Sequence, residues 1–360
     1  MHRYILRRLL YGIYVLLGVI TLVFALFNIL PGDPARMMLG QRADIASVEA
    51  INRELGLDQP LLVQYAGFLN DLSPVSFHSV ADPASMWYPD PGKYAPFTAL
   101  LSTGDARIIL KKPYLRRSYQ SQRKVSEIIA QAFPNTMLLA AVAIGFAAIL
   151  GIFTGVMAAL HKDSLFDRLS MVLSVFGMSL PSFFAAILMA WLFAYVLAQY
   201  TGLNMFGSLW SVDDLGRGEY LDLKNLILPA LTLGIRPLAI IIELTRSSVL
   251  EVLSQDFVRT AKAKGLSKFR VIARHVMRNA MNPVVTAVSG WFASLMAGAV
   301  FVEYVFDWKG IGVVIVGALE KYDFPVAMGA VLFIAVMLVI INIFVDIIYG
   351  LLDPRVRLAG

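Results

Sequence analysis

The chain has 360 residues, 58% of them hydrophobic and 16% charged, with a mean hydropathy of +0.69. Soluble domains average about 25% charged residues, so this balance rules out an ordinary soluble enzyme and makes a lipid bilayer the natural solvent. The net charge of +6 comes with no nucleic-acid-binding motif, the lack of cysteine excludes disulfides and thiolate chemistry, and four histidines in separate segments offer no metal-ligand spacing.

The basic start His2, Arg3, Arg7 and Arg8 precedes a first apolar block, about Leu9 to Leu30, close to the roughly 20 residues a spanning helix needs. It is longer than the apolar region of a signal peptide and no small-residue cleavage pattern follows it, so it reads as a span. Pro31-Gly32-Asp33-Pro34 then stops the helix. Residues 31–130 form a polar extramembrane segment, with a short helix expected at Ser47 to Leu55 and irregular sequence rich in Pro, Ser and Tyr to about Tyr119.

Residues 131–360 hold five further apolar blocks: Phe133 to Leu160, Leu169 to Gln199, Leu226 to Leu244, Val284 to Val305 and Pro325 to Leu352. Pro181 lies inside the second of these and predicts a kink, because proline removes a backbone donor and crowds the preceding turn. Gly151 and Gly155 make a GxxxG pattern, a weak sign of a helix contact. Six crossings place both termini on one side, and the Lys and Arg excess between the fourth and fifth spans marks that side as cytoplasmic. The basic stretch Arg107 to Lys124 then falls outside, as long translocated segments permit.

The loop 251–283, EVLSQDFVRTAKAKGLSKFRVIARHVMRNAMNP, is too polar to cross a membrane and rich in helix formers. It predicts a helix from Asp256 to Lys264, a break at Gly265, and a second helix capped by Ser267 running toward Asn282, with Pro283 opening the next span. Val258, Ala261, Leu266, Phe269, Ile272, Val276 and Met277 supply apolar positions between the basic ones. Such a hairpin is either a docking knob for a protein or a basic hairpin lying on anionic lipid; the small residues Thr260, Ala261 and Gly265 favour docking.

The wording of this loop, RTAKAKGLSKFRVIARHVMRNAMNPVV, resembles the EAA loop of permease subunits of binding-protein-dependent ABC importers, in the form carried by the dipeptide, oligopeptide and nickel group. Arg259-Thr260-Ala261 stands where the strict consensus has Glu-Ala-Ala. The start YILRRLLYGIYVLLGVITLVFALFNILPGDPA, ELGLDQPLLVQY at Glu54 to Tyr65, SLPSF at Ser179 to Phe183, LTRSSVLEVL at Leu244 to Leu253 and the closing NIFVDIIYGLLDPRVR extend the likeness over nearly the whole chain. It lapses at about Pro74 to Tyr114, read as an insertion on the outer side. The resemblance implies an all-α membrane protein with six transmembrane helices in the type I ABC importer permease fold, resident in the bacterial inner membrane with both termini cytoplasmic. It implies a second, homologous permease subunit, two cytoplasmic ABC ATPase subunits and an extracytoplasmic solute-binding protein as partners, with ATP and Mg bound by the ATPases and no cofactor in this chain. The coupling loop would dock the ATPases through Arg259, Thr260, Ala261, Lys262, Gly265, Leu266, Ser267 and Phe269, and the solute would be a di- or oligopeptide or a related compound such as a nickel complex.

No G-x-x-x-x-G-K-[ST] pattern occurs and no Ser, His and carboxylate cluster emerges, so neither nucleotide chemistry nor catalysis is expected here. Ser179, Pro181 and Ser182 are candidates for the translocation path, since a kinked span exposes backbone. Asp346, on one face of the last span with Asn342, Tyr349 and Asp353, must meet protein or water; it is either a path residue or a packing residue near the inner interface. Glu243 and Arg246 read as a charged cluster where the fourth span meets the loop. The alternative function is a stand-alone secondary transporter or channel, against which the Gly265 hairpin argues because a lone carrier needs no docking knob; a membrane-anchored enzyme finds no motif.

Overall fold

A computed structural model describes residues 2–29, 56–82, 85–212 and 218–352. The expected helix at Ser47 to Leu55, Asp213, Asp214 and the tail from Asp353 lie outside these residues, as do the side chains of Asp346 and Tyr349. Helices dominate: α1 (His2–Ile29), α2 (Leu61–Leu72), α3 (Val125–Leu160), α4 (Leu165–Ser179), α5 (Ser182–Met189), α6 (Lys224–Leu253), α7 (Asp256–Ala263), α8 (Met277–Gly298), α9 (Val300–Phe306), α10 (Ile311–Glu320) and α11 (Phe324–Leu352). Four described helices are individually long and apolar enough to cross a bilayer, and two bent pairs, α4 with α5 and α8 with α9, bring the number to six.

The sequence blocks are recovered with altered edges. α3 starts eight residues before the expected Phe133 and carries Pro134 in its first turns, and α6 runs through Pro229 and Pro237 to Leu253; membrane helices tolerate such prolines because neighbouring helices and hydroxyls satisfy the freed carbonyls. At Pro181 the expected kink is a 110° break between α4 and the segment from Ser182 to Val196. Pro283 does not open a span. A helix begins at Lys268, widens to π-type turns over Val271–Val276, and continues as α8 straight past Pro283. The short apolar helix α10 has no counterpart in the sequence reading.

Two compact units emerge. One comprises Met1–Leu9, Phe133–Val313 and Met337–Gly360. Its core joins Leu139, Ala143 and Ala147 of α3 to Leu228 and Ile241 of α6, with Phe306 and Trp308 fully enclosed. Gly151 and Gly155 bear out the small-residue contact: a Cβ on Gly155 would stand 2.7 Å from the Ile242 carbonyl oxygen of α6. Arg246 does not cluster with the exposed Glu243. Its guanidinium instead grips the buried Asp167 with both Nε and Nη2, the latter at 2.7 Å, and Asp167 also accepts from Asp163 N at 2.9 Å. Removing one partner of a buried pair typically costs about 3–5 kcal/mol, while removing both can be nearly neutral; because the Arg246 side chain is 22% exposed, Asp167→Ala should cost about 2–3 kcal/mol. Thermal unfolding of purified protein should show that loss, and the Asp167→Ala/Arg246→Met double variant should recover most of it.

The same unit holds a second lock. Glu303 on α9 is fully buried and accepts from Gly312 N, at the start of α10, at 2.6 Å. Ile311 N donates to Thr136 Oγ1 at 2.8 Å, Trp308 Nε1 to the Asn135 carbonyl at 3.0 Å, and Asn135 Nδ2 to the Lys309 carbonyl at 2.8 Å.

The other unit comprises Leu10–Ala132 and Val314–Val336. Val23 and Phe24 of α1 pack with Phe68 of α2 and Leu332 of α11, and Asp323 accepts from Tyr119 N at 2.9 Å and Ser118 Oγ at 2.5 Å. The segment expected to be irregular contains an antiparallel sheet of order β1-β3-β2, with β1 Val75–Ser79, β2 Phe97–Thr103 and β3 Ala106–Lys111. β2 and β3 form a hairpin closed by Gly104-Asp105, a two-residue turn signal between the apolar runs Ala99-Leu100-Leu101 and Ile108-Ile109-Leu110. Asp71 ties the sheet to α2 by accepting from Tyr94 OH at 2.7 Å and Arg116 Nε at 3.3 Å, while Lys111 Nζ donates to its carbonyl at 2.6 Å.

His78 is enclosed in this sheet, its Nδ1 facing the Trp87 carbonyl at 3.1 Å and its Nε2 facing Ser76 Oγ at 2.9 Å. Burial, reinforced by Lys111 and opposed by the Trp87 carbonyl bond and Asp71, lowers its pKa below the usual 6.5. The unfolded chain therefore binds the proton more readily than the folded one, so the histidine's contribution is complete above the unfolded pKa and is lost as pH falls from about 6.5 toward the folded value. Amide-exchange protection of residues 75–111 should weaken on acidification through that window, and His78→Gln should flatten the dependence.

Candidate functional site

The hairpin after α6 is built on an apolar underside. Val258 and Ala261 of α7, with Val271, Val276 and Ala280 of the following helix, close over Val249 and Val252 of α6 and Ala159 of α3. Burying these side chains pins α7 against two spans and turns its polar face outward. Lys264 N and Gly265 N end the helix by donating to the carbonyls of Thr260 and Lys262 at 3.1 and 3.0 Å. Gly265 sits at φ +75° with nothing within 4 Å of a notional Cβ, so its requirement is the left-handed backbone and not space. Ser267 occupies the N-cap position of the next helix, though its side chain makes no capping bond.

The hairpin residues singled out from sequence divide into two faces. Ala261 is buried and Leu266 half-buried, so they hold the hairpin to its own protein. Arg259, Thr260, Lys262, Gly265, Ser267 and Phe269 are exposed. Phe269 is 81% exposed just after the turn, flanked in sequence by exposed Lys268 and Arg270, with exposed Lys264 before the turn. A bare phenylalanine on a fixed, basic turn is an anchor without a pocket, the arrangement expected of an interface hot spot.

A cavity of about 110 Å³ opens at the α4/α5 break, lined by Ser182 and Ala185 of α5, Thr232 and Arg236 of α6, and Trp291 and Ser294 of α8, among others. Of the candidate path residues, Ser182 lines it and Pro181 makes the break that forms it. Ser179 Oγ instead donates to the Val175 carbonyl of its own helix at 2.8 Å. Asp346 lies on α11 with its side chain outside the described residues. Arg236, Thr232 and Trp291 escaped the sequence reading, although an arginine inside the fourth apolar block was the available signal.

Comparison with known proteins decides the family. Residues 151–358, which contain the hairpin and the cavity, match the binding-protein-dependent transport system inner membrane component, and residues 1–82 match the N-terminal part of such membrane components. The chain belongs to this permease family. A di/tripeptide transport system permease protein of Pseudomonas aeruginosa is 35% identical over 98% of each chain. A dipeptide transport system permease protein of Escherichia coli K12 is 34% identical over 99% of each, and one from Alkalihalophilus pseudofirmus is 33% identical over 98% of this chain and 99% of its own. An inward-facing methionine ABC transporter structure aligns with a TM-score of 0.50 over 63% of this chain and 97% of that one, at 12% identity, which supports the type I fold. The permease is thus a multi-pass inner-membrane transport component of a binding-protein-dependent ABC import system.

Proposed function

We propose that the permease carries di- or oligopeptides inward as one half of a membrane channel, paired with a second, homologous permease and driven by two cytoplasmic ATPase subunits that hold the ATP and Mg. The exposed Phe269 on its basic turn carries this reading: the hairpin is fixed to α3 and α6 by its apolar underside, leaving the tip free to enter an ATPase groove. The peptide class follows the printed names of the relatives in Pseudomonas aeruginosa and Escherichia coli. Both termini lie on the cytoplasmic side with the hairpin, and the sheet of β1 to β3, within the stretch 74–114, lies outside, where an extracytoplasmic binding protein delivers solute. Closure of the ATPases would shift the hairpin and open the path alternately to either side.

Affinity purification of the tagged permease from mild detergent, followed by mass spectrometry, should recover two ATPase polypeptides and a second six-span chain. Reconstituted with the binding protein, the complex should take up labelled dialanine only with ATP. Recovery of the chain alone with intact transport would overturn the proposal.

A further inference from the structure

Arg236 is the thirteenth residue of the 30-residue α6, about 18 Å from its start and about 25 Å from its end at 1.5 Å per residue. A hydrocarbon core is about 30 Å thick, so a core centred on α6 places the Arg236 Cα about 11 Å inside its nearer boundary. A charge at that depth is costly unless something there uses it. It forms no ion pair among the described residues; the guanidinium lies over the Trp291 ring, 5.9 Å from its centroid. Arg236 is exposed where the cavity opens.

Thr232, one turn earlier on the same face of α6, is 3% exposed and its hydroxyl has no hydrogen-bond partner. Both line the cavity at the α4/α5 break, together with Ser182 and Ser294. The cavity therefore gathers a charge with a planar fork of donors, a buried hydroxyl without a partner, serines from two other helices, and an indole wall. A fork of this kind matches a carboxylate with two parallel hydrogen bonds, and the hydroxyls suit the neighbouring amide.

We infer that Arg236, with Thr232, Ser182, Ser294 and Trp291, forms a mid-membrane subsite for the C-terminal carboxylate of a peptide in transit. This inference rests on the peptide reading above and adds the recognising group. The subsite gives a passing peptide one transient anchor halfway across, weak enough to release because the charge is exposed on one side.

The test uses the complete reconstituted complex, with the binding protein pre-loaded either with dialanine or with its C-terminal amide, so that the binding protein's own preference drops out of the maximal uptake rate. Wild type should move the acid about 10-fold faster than the amide, the scale of one charge-assisted hydrogen-bond pair. Arg236→Gln should bring that ratio to about one by slowing the acid alone, and Arg236→Lys should restore part of it. An Arg236→Gln variant whose ratio stays at the wild-type value overturns the inference. So does equal slowing of acid and amide, which would mean that Arg236 serves as a structural ion pair with another subunit. Failure of the wild type to take up either compound would overturn the peptide reading itself.

Discussion

Phe269→Asp should leave the permease folded and inserted yet lower ATP-coupled uptake by about 30-fold or more, the range expected when an interface hot spot worth at least about 2 kcal/mol is lost. The side chain is 81% exposed and contributes nothing to the apolar underside of the hairpin, so the loss belongs to docking and not to folding. Val258→Asp provides the contrast. Val258 is fully buried against α3 and α6, so a charge there should detach α7 and reduce the amount of folded protein. Gly265→Val should fall between the two: its Cβ meets nothing, but a β-branched residue at φ +75° strains the turn by about 1–2 kcal/mol. Membrane-inserted amount, measured alongside dipeptide uptake, separates the three; near-normal uptake by Phe269→Asp would remove the hairpin from the coupling role.

Glu303→Ala should be the most damaging change to folding. The carboxylate is fully buried and receives Gly312 N at 2.6 Å; without it the first turn of α10 loses its acceptor and a cavity opens beside Gly310. Leaving a buried donor unpaired costs about 1–3 kcal/mol, and the lost packing adds to it. Glu303→Gln keeps the shape and one acceptor oxygen and should be milder. Gly312→Ala attacks the same lock sterically, since its Cβ would stand 2.5 Å from the Val300 Cα, a backbone atom that cannot swing aside. Size-exclusion profiles of the solubilised variants should show loss of the monodisperse peak in the order Glu303→Ala, Gly312→Ala, Glu303→Gln.

Hydropathy made the spans legible, because a stretch of some 20 apolar residues has few other meanings. The hairpin was legible too, since its glycine, basic face and apolar spacing each encode local structure. What escaped depends on contacts remote in sequence. Nothing near Arg246 names Asp167 as its partner, and Arg236 gained meaning only when the break at Pro181 put Ser182 and Thr232 on one cavity. The continuation through Pro283 reversed a local rule because a membrane helix has no water to take over its backbone bonds. The sheet at residues 75–111 was missed for a different reason: its turn signal was present, but the Pro- and Ser-rich surroundings obscured the two strands.

The uninterrupted helix from Lys268 to Met296 has a mechanical meaning. Phe269 at one end and Trp291 near the other are separated by 22 residues, about 33 Å of helix. A stiff rod of that length is a lever. A tilt of about 10° about either end displaces the other by about 6 Å on that length, comparable to the width of a peptide backbone. Force applied at the hairpin tip thus needs no relay of side chains to reach the indole wall of the cavity, and stiffness along this single helix sets how much of each stroke is delivered there.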